Sequence, residues 1–173
     1  MKPRGLLIAN PNATSTSPGM RDVITGALGH EVDLEVVTTT HRGHAESLGA
    51  DAHGLDLLIT LGGDGTINEA VNGMLNSGHT DLPMLATIPG GSANVMARAL
   101  GFPNDAIEAT GMILESLRTD ASHDVGLGNA RFTPVGSDQE RSQWFTINAG
   151  VGIDADVVAS MEAIRRSGSP VGH

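Results

Sequence analysis

The chain has 173 residues, enough for one full domain or one domain and part of another. With 39% hydrophobic and 17% charged residues it supports a packed core, which excludes wholesale disorder. A formal net charge of −10 removes both a fold-wide basic footprint for nucleic acid and any general attraction to an anionic membrane. The absence of cysteine removes disulfides, thiolate catalysis and cysteine metal sites.

Near the start, the apolar run over residues 6–9 is too short for a signal peptide or a membrane span. The expected location is the cytoplasm, with any membrane contact local and peripheral. Gly-Leu-Leu-Ile-Ala at residues 5–9 predicts a buried first strand ending at Asn10-Pro11. Residues 12–17 are small and polar. Ser17-Pro18 then supplies an N-cap followed by proline at the first helical position. Met20, Val23, Ile24, Ala27 and Leu28 follow at helical spacing, with Gly29 as the stop. Val32, Leu34 and Val36 alternate with acidic residues and predict a half-buried strand running into Thr38-Thr39-Thr40.

A weakly helical stretch covers residues 43–52, and residues 55–61 read as the apolar run of a central parallel strand. Ile67, Ala70, Val71, Met74 and Leu75 again have helical spacing, with Met74 in the core. Residues 84–88 read as a strand, followed by a Pro89-Gly90-Gly91-Ser92 turn. Ala93, Met96, Ala97 and Leu100 mark a helix that Gly101 stops, with Met96 in the core, and another helix covers residues 104–117. Strand and helix alternate four times through short connections, which predicts an α/β fold: an open, mostly parallel sheet with helices on both faces. Beyond Thr119 the pattern becomes β-rich. Val125 and Leu127 alternate, residues 131–134 and 144–149 read as strands, and Asp154 is placed to cap a last helix carrying Val157, Val158 and Met161. The expected organisation is an α/β domain over residues 1–120 and the start of a β-rich domain over residues 121–173.

Gly62-Gly63-Asp64-Gly65-Thr66 lies at the carboxyl end of a predicted parallel strand and opens a helix. In open α/β sheets ligands bind at that edge. Glycines there let backbone N–H groups approach an anion, and a helix N-terminus favours phosphate. Thr66-x-x-Glu69 fits a capping box that would start the helix. A carboxylate beside a phosphate cradle implies a cation or a hydroxyl proton, and the structural alternative is a tight turn in which Asp64 caps locally. The Pro89-Gly90-Gly91-Ser92 turn ends the next strand, where Ser92 can cap the following helix, so two glycine turns would line one sheet edge. His41 and His44, three apart, suit one helix face but lack a carboxylate partner at ligand spacing, and read as solvated, as does Arg165-Arg166. No metal-ligand set is predicted.

These motifs resemble a known family. Residues 62–74, "GGDGTINEAVNGM", and residues 88–103, "IPGGSANVMARALGFP", resemble the catalytic domain of diacylglycerol kinases and their bacterial lipid-kinase relatives, which include sphingosine and ceramide kinases. "IANPNA", "VTTTHRGHA" and "WFTINAGVGIDADVV" fall in the same order. The Gly-Gly-Asp-Gly-Thr stretch alone is shared with NAD kinases, and the continuation points to the lipid branch. The resemblance implies ATP as donor, Mg²⁺, and a lipid hydroxyl at a membrane surface as acceptor. It also implies a phosphofructokinase-like nucleotide domain followed by a β-sandwich, with the active site between them. Carried over by position, Asn10 lies in the nucleotide loop. Thr39 matches the threonine that contacts nucleotide, with Thr38 or Thr40 in its place if the gap shifts. Gly62, Gly63, Asp64, Gly65, Thr66, Ile67 and Asn68 form the phosphate loop, and Ser92 stands at the family's threonine or serine. Asp64 is the candidate to coordinate metal or act at the acceptor hydroxyl.

The chain departs from the family at His44 and at Val95, where an aspartate is usual. The family's C-terminal half carries an Asp-Gly-Glu segment with the proposed general base, and nothing after Ile164 matches it. The expectation is therefore a chain holding the nucleotide domain and the first sandwich strands, weakly active alone, with exposed edge strands near residues 145–151 that favour a homo-oligomer. The other functional readings are a kinase for a soluble acceptor such as NAD, and a non-catalytic nucleotide-binding module.

Overall fold

The computed structural model describes residues 1–13, 17–149, 155 and 160. Four strands form one parallel sheet in the order β2-β1-β3-β4. They are β1 (Arg4–Ala9), β2 (Asp33–Thr38), β3 (Leu57–Gly62) and β4 (Met84–Pro89). Leu7 stands between Val36 and Ile59, and Leu61 beside Ile88. The chain runs from β1 outward to β2, then returns across β1 to β3. That reversal opens a crevice beyond the carboxyl ends of β1 and β3, the usual place for a ligand in such sheets.

Side chains alternate across the central strands, so each face has its own core. Leu7, Ile59, Leu61 and Ile88 pack against Ile24 and Leu28 of α1 (Pro18–Glu31) and Ala106 and Ile113 of α5 (Ala106–Thr119). Leu6, Ile8 and Leu58 pack on the other face, against Ala45 of α2 (His44–Ala50) and Ala70 and Met74 of α3 (Asp64–Asn76). Helices α2 and α3 meet at backbone contact. A Cβ added at Gly73 would collide with the Glu46 carbonyl, and one at Gly49 with the Ala70 carbonyl.

Several boundaries differ from the sequence expectation, each for a local reason. Helix α1 passes through Gly29 to Glu31 and ends where Val32 turns extended, its N–H still bonded to the Leu28 carbonyl. Val32 is therefore a buried helix cap and not a strand residue. Strand β2 is a sheet edge, which leaves Val36 46% exposed. Strand β3 starts at Leu57, and just before it the Asp56 carboxylate accepts the Arg4 N–H at 2.7 Å. Ser17 caps α1 as expected, accepting the Met20 N–H at 3.2 Å.

A second, two-stranded antiparallel sheet follows, with β5 (Gly128–Phe132) paired to β6 (Arg141–Phe145). The strand expected to reach residue 149 ends at Phe145, followed by a bend at residues 146–147. Phe145 is half-buried, its ring over Gly128, and Ile147 is 41% exposed. The helix expected around Asp154, Val157, Val158 and Met161, and the Arg165-Arg166 pair, lie outside the described residues. Among the described residues no helix is long and apolar enough to cross a membrane.

Candidate functional site

The carboxyl ends of β1, β2, β3 and β4 bring most of the sequence-predicted residues together. Asn10 leaves β1 with its N–H bonded to the Leu61 carbonyl at 2.9 Å. Its side chain bridges two segments: Nδ2 donates to Thr66 Oγ1 at 3.0 Å and Oδ1 accepts the Asn12 N–H at 2.9 Å. Thr39 is buried at the end of β2, with its N–H on the Ala9 carbonyl at 2.9 Å. Its neighbours Thr38 and Thr40 are exposed.

The glycines have a first explanation in packing. The Gly90 N–H donates to the Gly62 carbonyl at 2.8 Å, so the turns after β3 and β4 are tied together. A Cβ at Gly91 would stand 2.7 Å from Gly63 Cα, and one at Gly90 would stand 3.0 Å from Gly62 Cα. The two turns pack backbone on backbone, which side chains would prevent. Gly65 differs, because it is exposed and faces open space. Room for an approaching ligand is therefore found at Gly65.

The expected capping box does not form. Helix α3 begins at Asp64, with Gly63 in the N-cap position and no side-chain cap. Thr66 is already inside the first turn, its N–H on the Gly63 carbonyl at 3.0 Å and its hydroxyl accepting from Asn10. The Ile67 N–H also goes to the Gly63 carbonyl, at 3.3 Å, and its side chain joins the core. The donors left at this helix end are the N–H groups of Gly63, Asp64 and Gly65, at the positive end of a 13-residue helix.

Nor does Ser92 cap the next helix. It is exposed, and the cap position of α4 (Val95–Ala99) belongs to Asn94, left-handed at φ 48°. Asn94 is 2% exposed, with Oδ1 accepting the Gly91 N–H at 2.9 Å and Nδ2 donating to the Gly91 carbonyl at 2.8 Å and to Asn104 Oδ1 at 2.9 Å. The capping oxygens of α4 come from Asp64, 31 residues earlier. Asp64 Oδ1 accepts the Met96 N–H at 2.9 Å and Oδ2 the Val95 N–H at 3.1 Å. Asp64 thus caps its neighbour's helix rather than its own.

Three further residues shape the rim. His44 opens α2, and its Nδ1 accepts the Thr40 N–H at 3.1 Å, so the imidazole holds the end of the threonine run. His41 precedes α2 instead of sharing its face, and stacks on His44 with ring centroids 5.1 Å apart. Arg21 was not legible as a site residue, because a single arginine among the periodic positions of α1 gives no signal. Its Nη2 donates to the Pro11 carbonyl at 2.9 Å and more weakly to that of Asn10 at 3.4 Å, placing a guanidinium against the loop after β1. Asn68, in the second turn of α3, is half-buried, and its backbone carbonyl accepts from Asn72 Nδ2 at 2.8 Å. Among the described residues no three or more histidine, aspartate or glutamate side chains gather as a metal set.

A parallel sheet with paired glycine turns at its switch point, and an open helix N-terminus beside them, defines an α/β domain suited to an anionic ligand. Residues 4–128 match the model of the diacylglycerol kinase catalytic domain, and the chain belongs to that family. It is 35% identical over 130 residues to a protein of Stenotrophomonas maltophilia described as "Probable lipid kinase YegS-like", covering 69% of this chain and 42% of that protein. It is 33% identical over 138 residues to a diacylglycerol kinase of Staphylococcus aureus, covering 76% of this chain and 42% of the relative. A crystal structure of a diacylglycerol kinase from Bacillus anthracis aligns with a TM-score of 0.61 at 34% identity, over 65% of this chain and 43% of the other. The chain thus spans about two-fifths of the length of these relatives.

Proposed function

We propose that the protein is an ATP-dependent lipid kinase of the diacylglycerol kinase type, passing the γ-phosphoryl group to a lipid hydroxyl. The observation that carries this is the first turn of α3, where the N–H groups of Gly63, Asp64 and Gly65 stand at a sheet edge beside open space. Family membership supports a kinase, and the relatives' names support a lipid acceptor. On this reading residues 1–120 bind nucleotide and residues 121–173 begin the acceptor side.

Phosphoryl transfer asks mainly for positioning and charge compensation. The α3 donors hold phosphate oxygens, Asn10 locks the first loop to Thr66, and Arg21 keeps the carbonyls of Asn10 and Pro11 in place while adding positive charge. Thr39 lies at the β2 end, where the rest of the nucleotide would extend. The residues fit Mg²⁺ in the manner common for this ion, one carboxylate plus substrate phosphates, through the lone pairs of Asp64 that α4 does not use. When bound, that ion would offset phosphate charge. The acidic chain meets its lipid at the membrane surface through local contacts only.

Calorimetric titration with ATP·Mg²⁺ tests the reading. Saturable binding at one site per chain is expected, and Gly65→Val, which fills the open space, weakens it at least tenfold. An unsubstituted chain that releases no heat overturns the nucleotide assignment. We also propose self-association through the second sheet. Light scattering should give at least twice the chain mass, and a monomer at all concentrations refutes it.

A further inference from the structure

The second sheet is attached to α3 by a side chain doing the work of a strand. The Trp144 N–H donates to Asn72 Oδ1 at 2.9 Å, and the Trp144 carbonyl accepts from Asn72 Nδ2 at 2.9 Å. Such an exchanged pair is what a neighbouring β-strand would offer. Asn72 Nδ2 also donates to the Asn68 carbonyl at 2.8 Å, one turn back, which fixes the amide's orientation. One turn further on, Asn76 Oδ1 accepts the Trp144 indole Nε1–H at 3.2 Å. Asn72 is 4% exposed, so water does not substitute for these bonds. Asparagine is a poor interior helix residue, and this one stands where both amide groups are in use.

Apolar contacts run beside the hydrogen bonds. Trp144 and Leu127 pack on Ile67 and Val71 of α3 and Met96 of α4. Ile67 and Met96 tie this cluster to the phosphate edge. The Ile67 N–H closes the first turn of α3 on Gly63, and the Met96 N–H is capped by Asp64. From Asp64 to Asn72 is roughly 12 Å of unbroken helix, at 1.5 Å per residue.

We propose that Asn72 is a positioning residue that hangs the β5–β6 sheet from the helix bearing the phosphate donors, linking occupancy of those donors to the seating of the sheet. The inference rests on the nucleotide reading above and goes beyond it. A ligand that steadies the first turn of α3 steadies the surface from which Trp144 hangs. Linkage makes the effect reciprocal, so a seated sheet favours the ligand.

Trp144 is the chain's single tryptophan, so its emission reports the seat directly. Titration with ATP·Mg²⁺ should shift Trp144 emission with the same midpoint as the calorimetric heat. The Trp144 amide should exchange at least fivefold more slowly in the presence of nucleotide. Asn72→Asp keeps the size but points a carboxylate at the Asn68 and Trp144 carbonyls. It should give red-shifted emission that no longer responds to ATP, while calorimetry still shows binding, weakened less than tenfold. Asn76→Ala, which removes only the indole bond, should keep the response. Heat without any emission or exchange change in the unsubstituted protein overturns the linkage, even if Asn72→Asp fails to fold. An Asn72→Asp protein that keeps the parent emission and response also overturns it. Absence of heat takes down the nucleotide reading, and this inference with it.

Discussion

Asp64 places a carboxyl group at the first turn of α3, and its hydrogen bonds account for part of that arrangement. Both carboxylate oxygens accept backbone N–H groups of α4, at 2.9 and 3.1 Å. This clamps the turn after β4 onto the turn after β3, the same two turns whose glycines pack face to face. Asp64 therefore serves the shape of the candidate site, apart from the metal role proposed for it. The two roles separate in Asp64→Asn. The amide can accept one N–H but must point its own hydrogens at the other, so a partly buried donor loses its partner. Stability should fall by roughly 1–3 kcal/mol, read from urea unfolding, alongside weaker ATP·Mg²⁺ binding. Unchanged stability with lost binding would show that the carboxylate acts on the ligand alone. The neighbouring Asn94 shows why this residue-scale logic was hard to read beforehand. Its left-handed backbone and its bond to Asn104 join positions that no local spacing rule connects.

At the scale of elements, the tightest joint is the crossing of α2 and α3. It ties the segment after β2, with Thr39 and His44, to the helix that starts at the glycine turn after β3. Gly73→Ala drives a methyl into the Glu46 carbonyl of α2, and backbone cannot step aside as a side chain can. The loss should be about 2–3 kcal/mol in chemical unfolding. Gly26→Ala in α1 is the control, since that glycine is exposed with nothing near its missing Cβ. There the helix should gain roughly 0.5–1 kcal/mol. If both changes behave alike, the crossing is looser than described. The helices and strands themselves were legible because apolar residues recur at a period of 3.6, as in α3, or run unbroken through a central strand, as in β3. Their ends were less so. Gly29 looked like a stop but sits inside α1, and Thr66 and Glu69 matched a capping box that the true start at Asp64 displaces. Local patterns describe what a segment can do alone. The actual cap of α4 comes from Asp64, and Asp56 at the head of β3 bonds Arg4, both long-range facts. In the candidate site, the glycine turns lie at the carboxyl ends of β3 and β4 as expected, yet the sequence offered no sign that the turns pack on each other or that Arg21 reaches the first loop.

For the molecule as a whole, binding and transfer make separate demands. Binding needs donors for phosphate, which the first turn of α3 offers. Transfer also needs an acceptor hydroxyl in line with the phosphoryl group and a base to take its proton. Among the described residues, the carboxylate at this edge is Asp64, and each of its oxygens already receives an N–H from α4. Among the described residues no three histidine, aspartate or glutamate side chains gather as a metal set. The chain also spans only about 42% of the length of its named relatives. On the proposed reading, Asp64 is a poor base while α4 engages both its oxygens, so the 173-residue chain should bind ATP·Mg²⁺ yet phosphorylate lipid roughly 10²–10⁴-fold more slowly than the diacylglycerol kinase of Staphylococcus aureus, the range that general-base catalysis spans. Labelled ATP with a panel of lipid hydroxyl acceptors in vesicles, and NAD in solution, measures this directly. Label entering lipid at the relative's rate would mean that the chain supplies its own base, with Asp64 the first residue to re-examine. Label entering NAD instead would move the acceptor from membrane to solution while leaving the phosphate edge of α3 in the same role.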